Sequence, residues 1–175
     1  MAIPYQPADL AEPADLVAAI RKRRGGELLN LDRMLLHSPP FARGWNAFLG
    51  AVRSELDLAP KLRELAICVV AVINGADYEL NQHAPLFVRA GGTEAQLQAL
   101  RTPTEVQKSN HFDALGKAVV ALTIAMSRDI VVPEPLIAEL RERLPSDREL
   151  IELIGTIAAY NMVSRFLVAT GVTPE

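Results

Sequence analysis

Residues 60–73, PKLRELAICVVAVI, are the segment that most constrains the fold of this chain. Drawn as a helix, the segment is apolar around most of its circumference, and Pro60 suits the first helical position. Such a helix is stable only when other elements surround it, so the sequence predicts a central, buried helix. Glu64 lies inside this apolar run, where a charge is costly unless it has a partner.

The composition favours an all-α fold. Half of the 175 residues are hydrophobic and 22% are charged, but only 5% are aromatic. Ala and Leu dominate, and these residues lose little conformational freedom in a helix, whereas strands prefer β-branched and aromatic residues. We therefore expect one all-α domain over residues 1–175, with the proline-containing residues 1–14 as an extended N-terminal arm.

Further helices are predicted on both sides of the central one. Two of them begin with capping boxes, Thr93 with Gln96 and Ser146 with Glu149. The predicted segments are 16–26, 30–40, 41–56, 76–90, 93–100, 110–129, 133–144 and 146–171.

Two details of these helices are testable in a structure. The segment 41–56 carries an apolar stripe of Phe41, Trp45, Phe48 and Val52. The basic run RKRR at 21–24 is typical of the last turn of a helix, because cations suit the negative end of the helix dipole. With a formal net charge of −3, the chain is a poor candidate for binding nucleic acid.

A polar constellation follows the central helix. Asn74-Gly75 is a plausible break, after which Glu79 and His83 stand at positions i and i+4, on one face of a helix. If the two helices pack as a hairpin, Glu64 can face this pair. Two carboxylates near one imidazole push their pKa values apart, which supplies an acid and a base near neutral pH. The alternative is an ordinary polar contact between helices.

The stretch RELAICVVAVINGADYELNQHAPLFVRAGGTEAQLQAL resembles the carboxymuconolactone decarboxylase family, whose all-helical fold is shared with the alkylhydroperoxidase-D proteins. The final segment ELIELIGTIAAYNMVSRFLVATGV is also similar to the last helix of the family. The resemblance implies an alkylhydroperoxidase-D-like helical bundle with a central helical hairpin. It also implies homotrimers or hexamers.

The redox branch of this family carries a Cys-x-x-Cys pair between its glutamate and its histidine. Here Glu64 and His83 stand where that glutamate and histidine stand, but Ala76 and Glu79 occupy the two cysteine positions. Dithiol peroxide reduction needs an attacking and a resolving thiol, so peroxidase activity is disfavoured. Cys68 is the single cysteine of the chain and is interpreted as a core residue.

The resemblance implies a cofactor-free acid–base lyase that acts on a small carboxylated lactone or a related acid. His83 is our candidate proton donor, with Glu64 or Glu79 holding its protonation state. Tyr78 is a candidate for lining the substrate pocket. An arginine should hold the substrate carboxylate by a two-point contact, and the matching final helix favours Arg165 over the other candidates, which are Arg63 and Arg89.

Other functions remain open at this stage. The chain could be a non-catalytic ligand-binding or assembly protein of the same fold. A metal site is not expected, because His37 and His111 show no ligand spacing with His83. The single cysteine and the lack of a signal-peptide pattern indicate a cytoplasmic protein. We expect no membrane span, since no run approaches about 20 apolar residues.

Overall fold

The computed structural model describes residues 3–175, and every regular element in that range is helical. The all-α prediction is therefore confirmed. The described helices are α1 (Ala14–Arg24), α2 (Asn30–Leu35), α3 (Pro39–Ser54), α4 (Pro60–Asn74), α5 (Asp77–Arg89), α6 (Glu94–Ala99), a 3₁₀ helix (Pro103–Lys108), α7 (Ala114–Arg128), α8 (Glu134–Arg143) and α9 (Asp147–Thr170).

The central element is α4, as its apolar circumference predicts. It packs against α5, α7 and α9, and residues 64–71 are buried without interruption. Gly75 ends α4 in the left-handed conformation, with φ 64°. This conformation is unstrained for glycine because glycine has no Cβ. The chain then reverses into α5, so α4 and α5 form the predicted hairpin.

The predicted helix ends agree with the structure in most cases. Gly25 ends α1 with φ 83°, directly after the basic run. The capping box of Thr93 and Gln96 forms with both of its hydrogen bonds. At α9 the Ser146 hydroxyl accepts a hydrogen bond from the backbone N–H of Glu149, but the reciprocal bond, from the backbone N–H of Ser146 to the Glu149 carboxylate, does not form.

The structure differs from the predictions in several places. The helix predicted over 30–40 ends at Leu35, because Pro39 and Pro40 begin α3 instead of ending α2. In α3, Trp45 is buried, but Phe41 and Phe48 are 46% and 50% exposed, because the buried stripe is rotated towards smaller residues such as Ala42 and Leu49. The segment 110–129 is helical only from Ala114, since Asp113 caps the helix there. The 3₁₀ helix at 103–108 was not predicted.

Helix α9 corrects the membrane argument from the sequence. It has 24 residues and a mean hydropathy of 1.3 over its most apolar window, which suffices by length and composition to cross a membrane. Half of that window is buried inside the protein, where Leu153, Ile157 and Tyr160 pack in the core. The helix packs on α4, and its buried apolar face belongs to the core of the protein.

The segment from residue 3 to residue 13 has no helix and lies against α1 and α2. Arg21 donates hydrogen bonds to the carbonyl oxygens of Ala8 and Leu10, and Arg33 donates one to Gln6. The described part of the predicted arm is therefore docked on the bundle, and it contains a turn in which the Leu10 N–H donates to the Pro7 carbonyl oxygen. Residues 1 and 2 of that prediction lie outside the described range.

Candidate functional site

The α4–α5 hairpin brings His83 and Glu64 into direct contact. His83 Nδ1 lies 2.7 Å from Glu64 Oε2, and both side chains are buried, with 7% and 4% of their surfaces exposed. Arg63 donates a hydrogen bond from Nε to the other carboxylate oxygen, Oε1, at 3.2 Å. The carboxylate is thus held between an imidazole and a guanidinium.

Burial and hydrogen bonding set the charges of this pair. Burial would raise the pKa of Glu64, but the hydrogen bond with His83 and the charge of Arg63 outweigh it, so the pKa lies below its usual value. For His83, burial outweighs the opposing effect of Glu64, and its pKa is lowered from 6.5. At neutral pH we therefore assign an ionised Glu64 that accepts a hydrogen bond from Nδ1–H of a neutral His83.

The second ring nitrogen of His83 is open. Nε2 has no hydrogen-bond partner among residues 3–175. In that range, Glu149 Oε2 is the one fully buried side-chain polar atom without a partner, so Nε2 must reach accessible space. A neutral imidazole with its Nδ1–H engaged presents Nε2 as a proton acceptor.

Glu79 lies in a different environment from Glu64. It is 2% exposed, and its hydrogen-bond partner is the hydroxyl of Ser164 on α9, 3.0 and 3.1 Å from its two oxygens. Burial raises the pKa of Glu79 well above 4.5, although the Ser164 hydrogen bond and the charge of Arg53 oppose this. Ser164 also lies 2.8 Å from the Tyr160 carbonyl oxygen. A protonated Glu79 can therefore donate to Ser164, whose own hydrogen is donated to that carbonyl.

Tyr160 of α9 connects His83 to an arginine. Its ring lies edge-on to the imidazole, with a centroid distance of 4.9 Å and an interplanar angle of 86°. Arg53 of α3 donates a hydrogen bond from Nε to the Tyr160 hydroxyl at 3.1 Å. The Nη1 and Nη2 groups of Arg53 have no hydrogen-bond partner in the described chain, so they are available to a ligand.

His83 lies between two cavities. The first cavity, of about 300 Å³, is lined by Glu79, Tyr160 and Arg53 together with other residues of α1, α3, α5 and α9. The second cavity, of about 370 Å³, lies on the Glu64 side. His83, Arg53 and Leu86 line both. Volumes of this order accommodate small metabolites rather than a macromolecule.

The structure separates the candidates that the sequence suggested. Tyr78 lines the first cavity, and its hydroxyl donates a hydrogen bond to Glu175 Oε1 at 3.4 Å. Arg63 and Arg89 line the second cavity. Arg165 lines neither one, because its Nη1 group donates to the backbone and side-chain oxygens of Asn161 on its own helix.

Several residues of the site were not found from the sequence. Tyr160 and Ser164 are polar groups at positions i and i+4 in the apolar final helix, and that spacing is the signal that could have revealed them. Arg23 and Arg24 belong to the basic last turn of α1, and they also line the first cavity. Arg53 carried no sequence signal, because its role depends on how α3 packs beside α9.

The donor groups of the described residues do not cluster as a metal site. Among residues 3–175, no three His, Cys, Asp or Glu side chains are close enough together to hold an ion. What the site offers chemically is one imidazole, the buried carboxyl group of Glu79 and several guanidinium groups around a partly open cavity.

Comparisons with known proteins agree with this description of the fold. Residues 39–111 match the model of the carboxymuconolactone decarboxylase family. This range contains Glu64, Glu79 and His83, together with Arg53. No curated protein matches the chain.

Three solved structures are similar over almost the whole chain, each with a TM-score of 0.80. One is an uncharacterised peroxidase-related protein from Silicibacter sp. TM1040, at 19% identity over 100% of this chain and 91% of that one. A second, from Ralstonia eutropha JMP134, is described as an alkylhydroperoxidase AhpD core, at 17% identity over 98% and 92%. The third is a variant of the debrominase Bmp8 in complex with 2,3,4-tribromopyrrole, at 18% identity over 100% and 93%. At these identities the likeness shows the fold.

Proposed function

Because the chain carries a carboxymuconolactone decarboxylase family segment, residues 39–111, on an AhpD-like fold, we propose that it is a cofactor-independent acid–base enzyme that acts on a small carboxylated lactone or a related acid. The alternative is a non-catalytic ligand-binding protein of the same fold. The proposal rests on the protonation states of the groups that line the first cavity.

One observation carries the proposal. His83 presents an open Nε2 while Nδ1 is held by Glu64, and the same cavity contains Glu79, whose pKa is raised. Burial favours the neutral form of both groups, because it lowers the pKa of the His83 imidazole and raises the pKa of the Glu79 carboxyl. One cavity thus holds a base and an acid of suitable kind. The sequence interpretation made His83 the proton donor. Its lowered pKa instead supports His83 as the acceptor and Glu79 as the donor.

His83 and Glu79 could serve either a decarboxylation, the reaction after which the family is named, or an isomerisation. In a decarboxylation, the bond between the carboxylate carbon and the ring carbon breaks, and its electron pair moves into the conjugated carbonyl system as carbon dioxide leaves. The resulting dienolate takes the proton of Glu79 at carbon, and water then reprotonates Glu79. In an isomerisation, His83 Nε2 would first remove a proton from carbon, so this reaction uses both groups.

Arg53 is our candidate for the substrate carboxylate. Its free Nη1 and Nη2 groups can donate two hydrogen bonds to one carboxylate, and Nε is fixed by Tyr160. Arg53 lines the first cavity, as do Glu79 and His83. Arg165 is a weaker candidate for this role, because it lines neither cavity.

The thiol chemistry of peroxidases is not supported by this chain. Cys68, its single cysteine, is fully buried in α4, and burial raises its pKa to about 12, with the charge of Glu64 acting in the same direction. The thiolate is the nucleophile in peroxide reduction, so a thiol of this kind is inert at neutral pH. A second thiol to resolve a sulfenic acid does not exist in the sequence.

Turnover in deuterium oxide tests the proposal. The carboxymuconolactone after which the family is named and other small carboxylated lactones would be incubated with the protein, and mass spectrometry would follow carbon dioxide release and deuterium incorporation. We expect turnover, with kcat reduced at least about a hundredfold in Glu79→Gln. His83→Gln should suppress isomerisation more strongly than decarboxylation, because only isomerisation needs the base.

Glu139→Gln is the matched control, since Glu139 forms an exposed ion pair with Arg143 away from both cavities. Its kcat should equal that of the wild-type protein. Saturable ligand binding in a calorimeter without any turnover or deuterium incorporation would refute the acid–base proposal and identify a binding protein. Hydroperoxide turnover that depends on Cys68 would also refute it.

A further inference from the structure

A buried carboxylate holds two arginines at the wall of the first cavity. Asp32 of α2 is 1% exposed. Its Oδ1 lies 3.2 Å from Arg23 Nη2 and 3.4 Å from Arg24 Nη2, and its Oδ2 lies 3.0 Å from Arg24 Nε. The backbone N–H of Leu29 also donates to Oδ2, at 3.2 Å. Both carboxylate oxygens are therefore engaged by fixed donors.

The two arginines keep unused donors. Arg23 also donates from Nη2 to Asn46 Oδ1 at 2.6 Å, but its Nε and Nη1 groups have no partner in the described chain. The Nη1 group of Arg24 is likewise without one. Both side chains line the first cavity and are only partly exposed, at 34% and 20%. Fixed guanidinium groups with free donors at a cavity wall are suited to bind an anion.

The charges of the cavity are unbalanced. Arg23, Arg24 and Arg53 all line it, and Asp32 neutralises one of the three. Burial and the charges of Arg24 and Arg53 lower the pKa of Arg23, while the charge of Asp32 opposes them. The Glu175 carboxylate accepts hydrogen bonds from Tyr78 and Gln82 at the rim, and one positive charge still remains when Glu79 is neutral.

We propose that Arg23 and Arg24, positioned by Asp32, form a second anion subsite in the first cavity, so that the ligand carries an anionic group there in addition to the one that Arg53 binds. The subsite depends on the proposed function in one respect, which is that Arg53 binds the first carboxylate of the ligand. All three of its residues precede residue 39, where the family match begins. Asp32 is a positioning residue, because it acts through the two arginines.

The subsite can be tested by binding alone. Isothermal titration calorimetry would compare glutarate with its monomethyl ester, which keeps the chain length but lacks one charge. Wild-type protein should bind glutarate at least about tenfold more tightly, since a hydrogen-bonded charge contributes about that factor. Arg24→Gln should remove most of this preference, and Arg24→Lys should retain part of it. An unchanged preference in Arg24→Gln would overturn the subsite.

Asp32→Asn distinguishes positioning from simple charge. This variant makes the cavity more positive, so attraction by net charge alone predicts tighter glutarate binding. If Asp32 positions the arginines, the glutarate preference should instead fall about tenfold, and tighter binding would overturn the positioning role. Thermal unfolding would establish that the variant is folded, and Arg24→Gln, which leaves Asp32 paired with Arg23, tests the subsite should Asp32→Asn not fold. Glu139→Gln is again the control.

The test separates this inference from the proposed function. A glutarate preference that depends on Arg24, in a protein that turns over no lactone, would retain the subsite and reject the enzyme. Turnover of carboxylated lactones with equal affinity for glutarate and its monoester would retain the enzyme and reject the subsite. If glutarate binds but Arg24→Gln does not change its affinity, the bound glutarate is an adventitious additive only and the subsite is rejected.

Discussion

The buried carboxyl of Glu79 should make the protein less stable as the pH rises. The folded state raises its pKa above 4.5, so between pH 4.5 and the folded-state pKa the native protein binds more protons than the unfolded chain. Stability is then unaffected by this group below pH 4.5 and is lost as pH rises through the window. The loss amounts to at most about 1.4 kcal/mol per pH unit, with an upper limit of about 3.4 kcal/mol at pH 7.

Glu79→Gln isolates this contribution. Glutamine has nearly the same volume and can exchange hydrogen bonds with Ser164, but it does not ionise. We expect the free energy of unfolding of the variant, relative to wild type, to increase with pH above 4.5 until the folded-state pKa of Glu79 is passed. His83 has the opposite effect on stability, because its lowered pKa destabilises the folded protein as pH falls below 6.5. This effect is present in both proteins, so it cancels when the free energy of unfolding of wild type is subtracted from that of Glu79→Gln.

Urea denaturation at fixed protein concentration, followed by circular dichroism at half-unit pH steps, measures this difference. Glu139→Gln provides the reference for an exposed glutamate, and its difference from wild type should stay nearly constant with pH. A Glu79→Gln difference that is equally flat would show that the carboxyl is ionised in the folded protein. The assignment of Glu79 as the acid of the site would then fail.

Further predictions concern the core, the thiol and the assembly. An added Cβ in Gly92→Ala would overlap the ring of Phe87, so the free energy of unfolding should fall by about 1–3 kcal/mol. Gly155 of α9 has open space around it, so Gly155→Ala should leave the free energy of unfolding unchanged or increase it. Cys68→Ala should lower the free energy of unfolding by about 1 kcal/mol without changing turnover. Iodoacetamide should alkylate the buried Cys68 only as the protein unfolds, and mass spectrometry can follow this alkylation. Light scattering should find a trimer or a hexamer, as the family resemblance implies, and a monomer at micromolar concentration would contradict this.

Much of the fold could be predicted because local rules determine helices. The apolar run at 60–73, the terminating Gly75 and the capping box at Thr93 each act through neighbouring residues, and each appears in the structure as expected. The rotation of α3 could not be predicted in this way. Which of its apolar residues face inward depends on the space left by α9, so Phe41 remains half exposed although Trp45, in the same stripe, is buried.

For the site, the sequence by itself determined which polar side chains share one face of a helix. Glu79 and His83 share a face of α5, and Glu64 belongs to a helix that must be buried, so a hairpin brings at least one carboxylate to the imidazole. The absence of a second thiol is also a property of the sequence alone. These facts follow from the chain order and from the period of the helix.

Only the tertiary structure decided how the surroundings of the two glutamates differ. Glu64 lies between His83 and Arg63, whereas Glu79 meets a neutral hydroxyl from a helix 85 residues away in the chain. The two glutamates have the same intrinsic acidity. Glu64 finds a partner in the adjacent Arg63, whereas the partner of Glu79, Ser164, is distant in sequence. A pKa depends on burial and on nearby charges, and both are set by packing rather than by the order of residues.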